Sequence, residues 1–275
     1  MVLNKRQKFN QICKDIKSIK IQGARNIAKA AFNAYTLVPN KNSKQKLLSL
    51  RPTEPMLINI LNNVDKLDLT EINNHLKLSQ DKINQEVFKL IKNNFVVFTH
   101  CHSSAVVNAL IYAKKKGKKF EVYNTETRPL YQGRKTAKEL KTAGIKVTNF
   151  IDSALNIALT KSQETRDVDI VFLGADAILK NGVINKIGSG LIGKLAKLEK
   201  IPAYVLANSW KFYPKNIKIE ERNFKEVWEN APKNIKIKNP AFGLIKKKYI
   251  KGIISEFGNL SYNKFLKQVK KRKFE

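Results

Sequence analysis

The sequence predicts an α/β protein, with a helical N-terminal domain over residues 1–92 and a Rossmann-like parallel-sheet domain over residues 93–275. Three observations predict it. Apolar residues recur at helical spacing as far as residue 92. From Phe95 the pattern changes to short runs rich in β-branched and aromatic residues. Helical stretches separate those runs, and a strand–helix–strand alternation is the signature of parallel crossovers.

Taken in order, Ile16, Ile19, Ile27 and Ala30-Ala31 mark the first helical stretches. Ile58, Leu61 and Val64 mark the next, and Ile83, Val87, Leu90 and Ile91 the last, while Pro39, Pro52 and Pro55 punctuate loops. Strands are predicted at 95–99, 120–124, 146–151, 169–173, 202–207 and 250–254. Helices are predicted between the first five, at about 104–116, 132–143, 153–163 and 188–200. The polar segment 212–240 carries Pro214, Pro232 and Pro240 and reads as an irregular excursion.

A chain of 275 residues with 43% hydrophobic and 9% aromatic content can bury a substantial core. No apolar run approaches the roughly 18 residues that a membrane span requires. Met1 to Lys20 is basic without a continuous apolar segment, so no signal peptide is read. Two cysteines, Cys13 and Cys101, fit a reducing compartment, and the cytoplasm is the expected location.

The net charge of +31 has two readings. One is a polyanion partner such as nucleic acid. The other is lysine spread over solvated faces. Eight of the 53 basic residues are arginine, and base-reading surfaces lean on arginine rather than lysine, so nucleic acid is not favoured. The runs Lys114–Lys119 and Lys270–Lys273 fall at a helix end and at the terminus. A small phosphorylated substrate is attracted by the same field.

In a parallel sheet, ligands bind beyond the C-terminal strand ends. Four segments fall there: Cys101–Ser104, Thr125–Arg128, Gly174–Asp176 and Asn208–Lys211. Cys101 ends a strand and leads into Ser103-Ser104 at a helix start, which is expected to lower the thiol pKa and make it a usable base. Asp176 follows Gly174-Ala175, small residues that let a ligand approach the backbone; without Cys101 it would read as a loop or helix cap. His100 and His102 read as strand-end packing or supporting hydrogen bonds rather than metal ligands, because adjacent residues in extended chain point to opposite sides. Arg128 either clamps an anion or pairs with Glu126. Asn185-Lys186 beside Gly188-Ser189, Gln22-Gly23-Ala24-Arg25 and Arg51-Pro52-Thr53 are candidate anion sites at helix starts.

Gly188-Ser189-Gly190-Leu191-Ile192-Gly193 satisfies G-x-G-x-x-G, yet no strand immediately precedes it and the next strand ends at Ala207-Asn208 without an acid. A nicotinamide site is therefore not read. The motif instead suits a helix start lying close to a phosphate or a neighbouring backbone.

Together, Thr99-His100-Cys101-His102-Ser103, Glu126-Thr127-Arg128-Pro129 with Gln132-Gly133, and Gly174-Ala175-Asp176 with Asn185–Gly188 resemble one family. It comprises methylthioribose-1-phosphate isomerases, ribose-1,5-bisphosphate isomerases and the regulatory subunits of eukaryotic initiation factor 2B. The resemblance spans residues 15–258. His102-Ser103-Ser104 after the cysteine is most similar to the bisphosphate enzymes, and the scaffold subunits generally lack the cysteine–aspartate pair.

The resemblance implies conversion of α-D-ribose 1,5-bisphosphate to D-ribulose 1,5-bisphosphate, with Asp176 as acid and Cys101 as base and with no cofactor or metal. It implies substrate contacts at Gly23, Ala24, Arg25, Arg51, Ser103, Ser104, Ala105, Asn185, Lys186 and Lys211. Gln22 stands where the family pattern leads us to expect arginine. Assembly as a dimer or hexamer is implied as well.

Overall fold

The computed structural model describes residues 4–271, so Arg272 and Lys273 of the C-terminal basic run lie outside the described residues. Five helices come first: α1 (Lys5–Lys17), α2 (Ala24–Leu37), α3 (Lys41–Leu50), α4 (Pro55–Asn62) and α5 (Leu69–Leu90). Their starts follow from local chemistry. Asn4 with Gln7 and Asp68 with Glu71 form capping boxes, Asn40 caps α3, and Pro55 occupies the first turn of α4. Their apolar faces meet around Ile16, Ile27, Leu47, Met56, Leu57, Ile60 and Leu61, all fully buried.

Helix α5 serves two cores. Ile72 and Leu76 pack into the helical layer, whereas Ile83 and Val87 pack against the sheet domain.

The sheet strands are β1 (Phe95–Thr99), β2 (Phe120–Thr125), β3 (Lys146–Phe150), β4 (Ile170–Leu173), β7 (Ala203–Leu206), β9 (Gly252–Ser255) and β10 (Gly258–Leu260). Their order is β3-β2-β1-β4-β7-β9-β10, parallel throughout except for β10, which runs antiparallel to β9. The crossover helices are α6 (Ser104–Lys115), α7 (Gln132–Thr142), α8 (Leu155–Leu159) and α9 (Ser189–Leu198), and α10 (Tyr262–Lys271) closes the described chain. Strands β1 and β4 are buried nearly throughout, as a sheet covered on both faces requires.

Two expectations need correction. The helix expected at 153–163 is reduced to α8, preceded by a short turn of 3-10 helix at Asp152–Ala154. The Asp167 carboxylate accepts from the Ser162 N–H at 2.9 Å, which gives that backbone a local alternative to another helical turn.

In addition, a second, antiparallel sheet forms from β5 (Ala177–Ile178), β6 (Gly182–Lys186) and β8 (Phe242–Lys246). The sequence reading assigns no strand there. Each piece is short, and β6 and β8 find each other only through the fold.

Candidate active site

From the centre of the sheet the chain winds one way through β1, β2 and β3 and the other way through β4, β7 and β9. The carboxyl ends of β1 and β4 therefore flank the switch point, where an open α/β sheet leaves a crevice. Cys101 follows β1, and Gly174-Ala175-Asp176 follows β4.

Threonines shape the β1 end. Cys101 has a left-handed backbone with φ of 65°, an uncommon state for a residue with a Cβ. Its N–H donates to Thr127 Oγ1 at 3.0 Å, and its carbonyl accepts from Thr136 Oγ1 at 2.8 Å. His100 is a strut rather than a ligand: Nδ1 lies 2.5 Å from Thr125 Oγ1 and Nε2 2.8 Å from the Ile187 carbonyl. His102 Nδ1 lies 3.1 Å from Thr136 Oγ1. Among the described residues, no three His, Cys, Asp or Glu side chains gather as a metal site would.

Small residues let the two strand ends approach. A Cβ on Gly174 would stand 2.7 Å from Ser103 Cβ and Oγ. That glycine makes room for Ser103.

The crevice opens into a cavity of about 290 Å³. Its sheet-domain wall carries Cys101, Ser103, Ser104, Ala105, Gly174, Ala175, Asp176, Asn185, Lys186 and Lys211. The facing wall comes from the helical layer, with Gln22, Gly23, Ala24 and Arg25 at the start of α2 and Arg51 just before α4. Gly23 and Ser103 precede α2 and α6 without a side-chain cap bond, so two helix N-termini border one cavity.

Arg128 is not among the lining residues. Its guanidinium reaches the Tyr131 hydroxyl and the Val227 carbonyl, and Glu126 pairs at 2.6 Å with Arg134. The pairing of Arg128 with Glu126 is not found, since Glu126 takes Arg134 instead, and Arg128 lies outside the wall of this cavity. The glycine motif likewise serves packing: a Cβ on Gly190 would lie 2.7 Å from the Leu244 carbonyl, so α9 needs that glycine to lie against β8.

The excursion contributes more than a connection. Thr53 Oγ1 donates to the Lys218 carbonyl at 3.0 Å, and Arg51 Nε donates to Glu220 Oε2 at 3.2 Å. Asn59 Nδ2 donates to the carbonyls of Trp210 and Phe212 at 2.8 and 3.0 Å. Residues 209–222 thus hold the helical layer over the strand ends. Sequence reasoning misses Glu220 and Arg222 here, and also Glu54, which lines the cavity next to Arg51. Only the adjacency of Glu54 to Arg51-Pro52-Thr53 signals its place.

Burial dominates the electrostatics. It pushes the Cys101 thiol up to about 11, against the pull of the Lys186 ammonium and the His102 backbone N–H, while Asp176 and Asp152 push further up. The expected lowering by the helix start is overturned, because desolvation of the thiolate outweighs it. Burial also raises Asp176, opposed by Lys211, Lys186 and Arg51. It lowers Lys211, which donates to the Ala175 carbonyl. A thiol and a carboxyl, both held toward their protonated forms by burial, share this cavity with several cations, a combination suited to moving protons on a bound polyanion.

Residues 21–262 match the Initiation factor 2 subunit family. The chain is 35% identical to a ribose 1,5-bisphosphate isomerase of Archaeoglobus fulgidus, over 88% of this chain and 86% of that protein. It is 37% identical to the ribose 1,5-bisphosphate isomerase of Methanocaldococcus jannaschii, over 88% of each. In structure it is similar to a Pyrococcus horikoshii translation initiation factor eIF-2B, with a TM-score of 0.81, 25% identity and coverage of 93% and 97% of the two chains.

Proposed function

The chain belongs to the Initiation factor 2 subunit family, and from that premise we propose that it is an aldose–ketose isomerase converting α-D-ribose 1,5-bisphosphate to D-ribulose 1,5-bisphosphate. One observation carries the reading: Cys101 and Asp176 line one cavity at the sheet's switch point. A scaffold subunit has no need of a thiol and an acid converging there. The bisphosphate relatives from two archaea support the choice of substrate.

In the proposed reaction the protonated Asp176 carboxyl gives its proton to the ring oxygen as the bond from that oxygen to C1 breaks. Cys101, as thiolate, removes the C2 proton to leave a C1–C2 enol phosphate, then returns that proton to C1. The C2 hydroxyl proton passes back to Asp176 as the ketone forms, so both groups end as they began. Lys186 and Asn185 stabilise charge developing on the C2 oxygen. The two phosphates lie toward the two helix starts and Arg51, Arg25 and Lys211, with Gln22 replacing one cation.

A thiol at about 11 is ionised to only about one part in ten thousand at pH 7, which favours a second reading with the roles exchanged. Asp176, once ionised, then takes the C2 proton and the thiol supplies one. Exchange of a C1 hydrogen of ribulose 1,5-bisphosphate with D₂O, which needs no ring opening, separates the two. In C101S, exchange stops if Cys101 is the base and persists if Asp176 is.

The decisive assay supplies ribose 1,5-bisphosphate and measures ribulose 1,5-bisphosphate. Turnover undiminished in C101S and D176N would sink the proposal. Turnover of methylthioribose 1-phosphate instead would mark a methylthioribose-1-phosphate isomerase, and no turnover with binding to an initiation-factor partner would mark a regulatory subunit. We further read a cytoplasmic homo-oligomer, dimer or hexamer, which a sizing measurement tests. The division at residues 1–92 and 93–275 belongs to the same proposal, with α5 shared between the two cores. No helix among the described residues is long and apolar enough to cross a membrane.

A further inference from the structure

Glu54 sits immediately before Pro55 at the start of α4, and its side chain makes no cap bond to the helix. The residue is 2% exposed and lines the cavity. Its Oε1 lies 3.7 Å from Arg51 Nη2, and its Oε2 is buried without a hydrogen-bond partner among the described residues. A buried polar atom without a partner calls for an explanation, and this one borders the cavity proposed to take a sugar bisphosphate.

We propose that Glu54 is a ligand-binding residue of this cavity, acting as a neutral carboxylic acid whose Oε2–H donates to the phosphate oxygen that Arg51 holds. The assignment goes beyond the isomerase reading but rests on its phosphorylated ligand. A carboxylate beside a phosphate dianion would repel it; the acid form contributes a donor without charge, while Arg51 supplies the charge.

The surroundings favour that form. Burial and the neighbouring Asp176 hold the Glu54 carboxyl up at about 8, with Arg51 and Lys211 opposing and Glu220 adding to the rise. Arg222 partners Glu220 at 3.7 Å, and Arg25 from α2 and Lys186 from β6 complete the charged wall. A bound dianion selects the protonated carboxyl, so above about pH 8 binding must draw a proton from solution. Burial also lowers Lys211, which adds its own loss of affinity at high pH, and a variant changed only at Glu54 separates the two.

Calorimetric titration with inorganic phosphate and with ribulose 1,5-bisphosphate, at pH 7 and pH 9 and in two buffers of different ionisation heat, tests the assignment. The wild type is expected to take up close to one proton at pH 9 and to lose about tenfold more affinity than E54Q between the two pH values. E54A is expected to bind about tenfold more weakly at pH 7, with E54Q recovering part of that loss through its amide donor. Equal pH dependence in wild type and E54Q, or no proton uptake by the wild type, would overturn the assignment. So would failure of both anions to bind. Phosphate binding with the Glu54 signature but no turnover of ribose 1,5-bisphosphate would leave Glu54 in place and remove the isomerase reading.

Discussion

Thr127 Oγ1 accepts the backbone N–H of Cys101 at 3.0 Å, and Cys101 holds φ at 65°. The contact crosses from the loop after β2 to the end of β1, so one hydroxyl ties a left-handed cysteine to the neighbouring strand. Left-handed backbone at a residue with a Cβ is costly and persists where its surroundings over-determine it. T127V keeps the shape and deletes the acceptor. It is expected to lower kcat about tenfold with little change in KM, and T127S is expected to restore most of it. A kcat for T127V equal to wild type would show that the hydroxyl does not position the thiol.

The Cys101 thiol, at about 11, is expected to react with iodoacetamide about tenfold faster per pH unit between pH 8 and 10, since the thiolate is the nucleophile. Lys186 pulls the thiol pKa down, so K186Q should slow alkylation throughout that range. Peptide mapping separates Cys101 from Cys13, whose thiol is also raised by burial. The folded value exceeds the model-compound 9.0, so the associated stability is present below pH 9 and lost as pH rises toward 11. Wild type should lose up to about 3 kcal/mol relative to C101S across that window. Alkylation already at its plateau by pH 8 would contradict the raised thiol pKa.

The β1 and β4 ends are legible in the sequence because each is an apolar run followed by small or polar residues. That local pattern was enough to bring Cys101 and Asp176 to one sheet edge. Strand order is not legible, since β7 beside β4 and β9 beside β7 are pairings between distant segments. The same holds for β6 with β8. The thiol pKa is hidden for a different reason: desolvation depends on what packs around the sulfur in three dimensions, whereas the helix start that misled the reading is visible locally. Glu54 goes unread in the sequence because its place in the cavity wall follows from how α4 packs under the strand ends, which no local pattern shows.

Gly174 and Ser103 form a matched pair. A Cβ added at Gly174 would approach Ser103 Cβ and Oγ to 2.7 Å, closer than unstrained atoms pack. G174A is expected to cost about 1–3 kcal/mol of stability and to displace Ser103 from the cavity wall. S103G should relieve the clash, so G174A/S103G should be more stable than G174A alone even though it lacks the serine side chain at the cavity wall. Chemical denaturation of the four proteins gives the coupling energy. Additive losses would mean that the two residues adjust independently.

Tyr262 opens α10, and its hydroxyl lies 2.7 Å from the Leu179 carbonyl and 2.6 Å from that of Gly182. Those two residues flank the turn between β5 and β6, and β6 delivers Asn185 and Lys186 to the cavity. Burial raises the phenol pKa, so the hydroxyl stays a donor well above neutral pH. Y262F removes the donor and keeps the ring, leaving two inward carbonyls with less hydrogen bonding at a cost of about 1–3 kcal/mol. For a chain of this size the melting temperature should fall by roughly 3–8 °C. Hydrogen exchange should quicken most at residues 179–186 if the helix acts by clamping that hairpin. A melting temperature unchanged in Y262F, or exchange quickened elsewhere and not in the hairpin, would rule the clamp out.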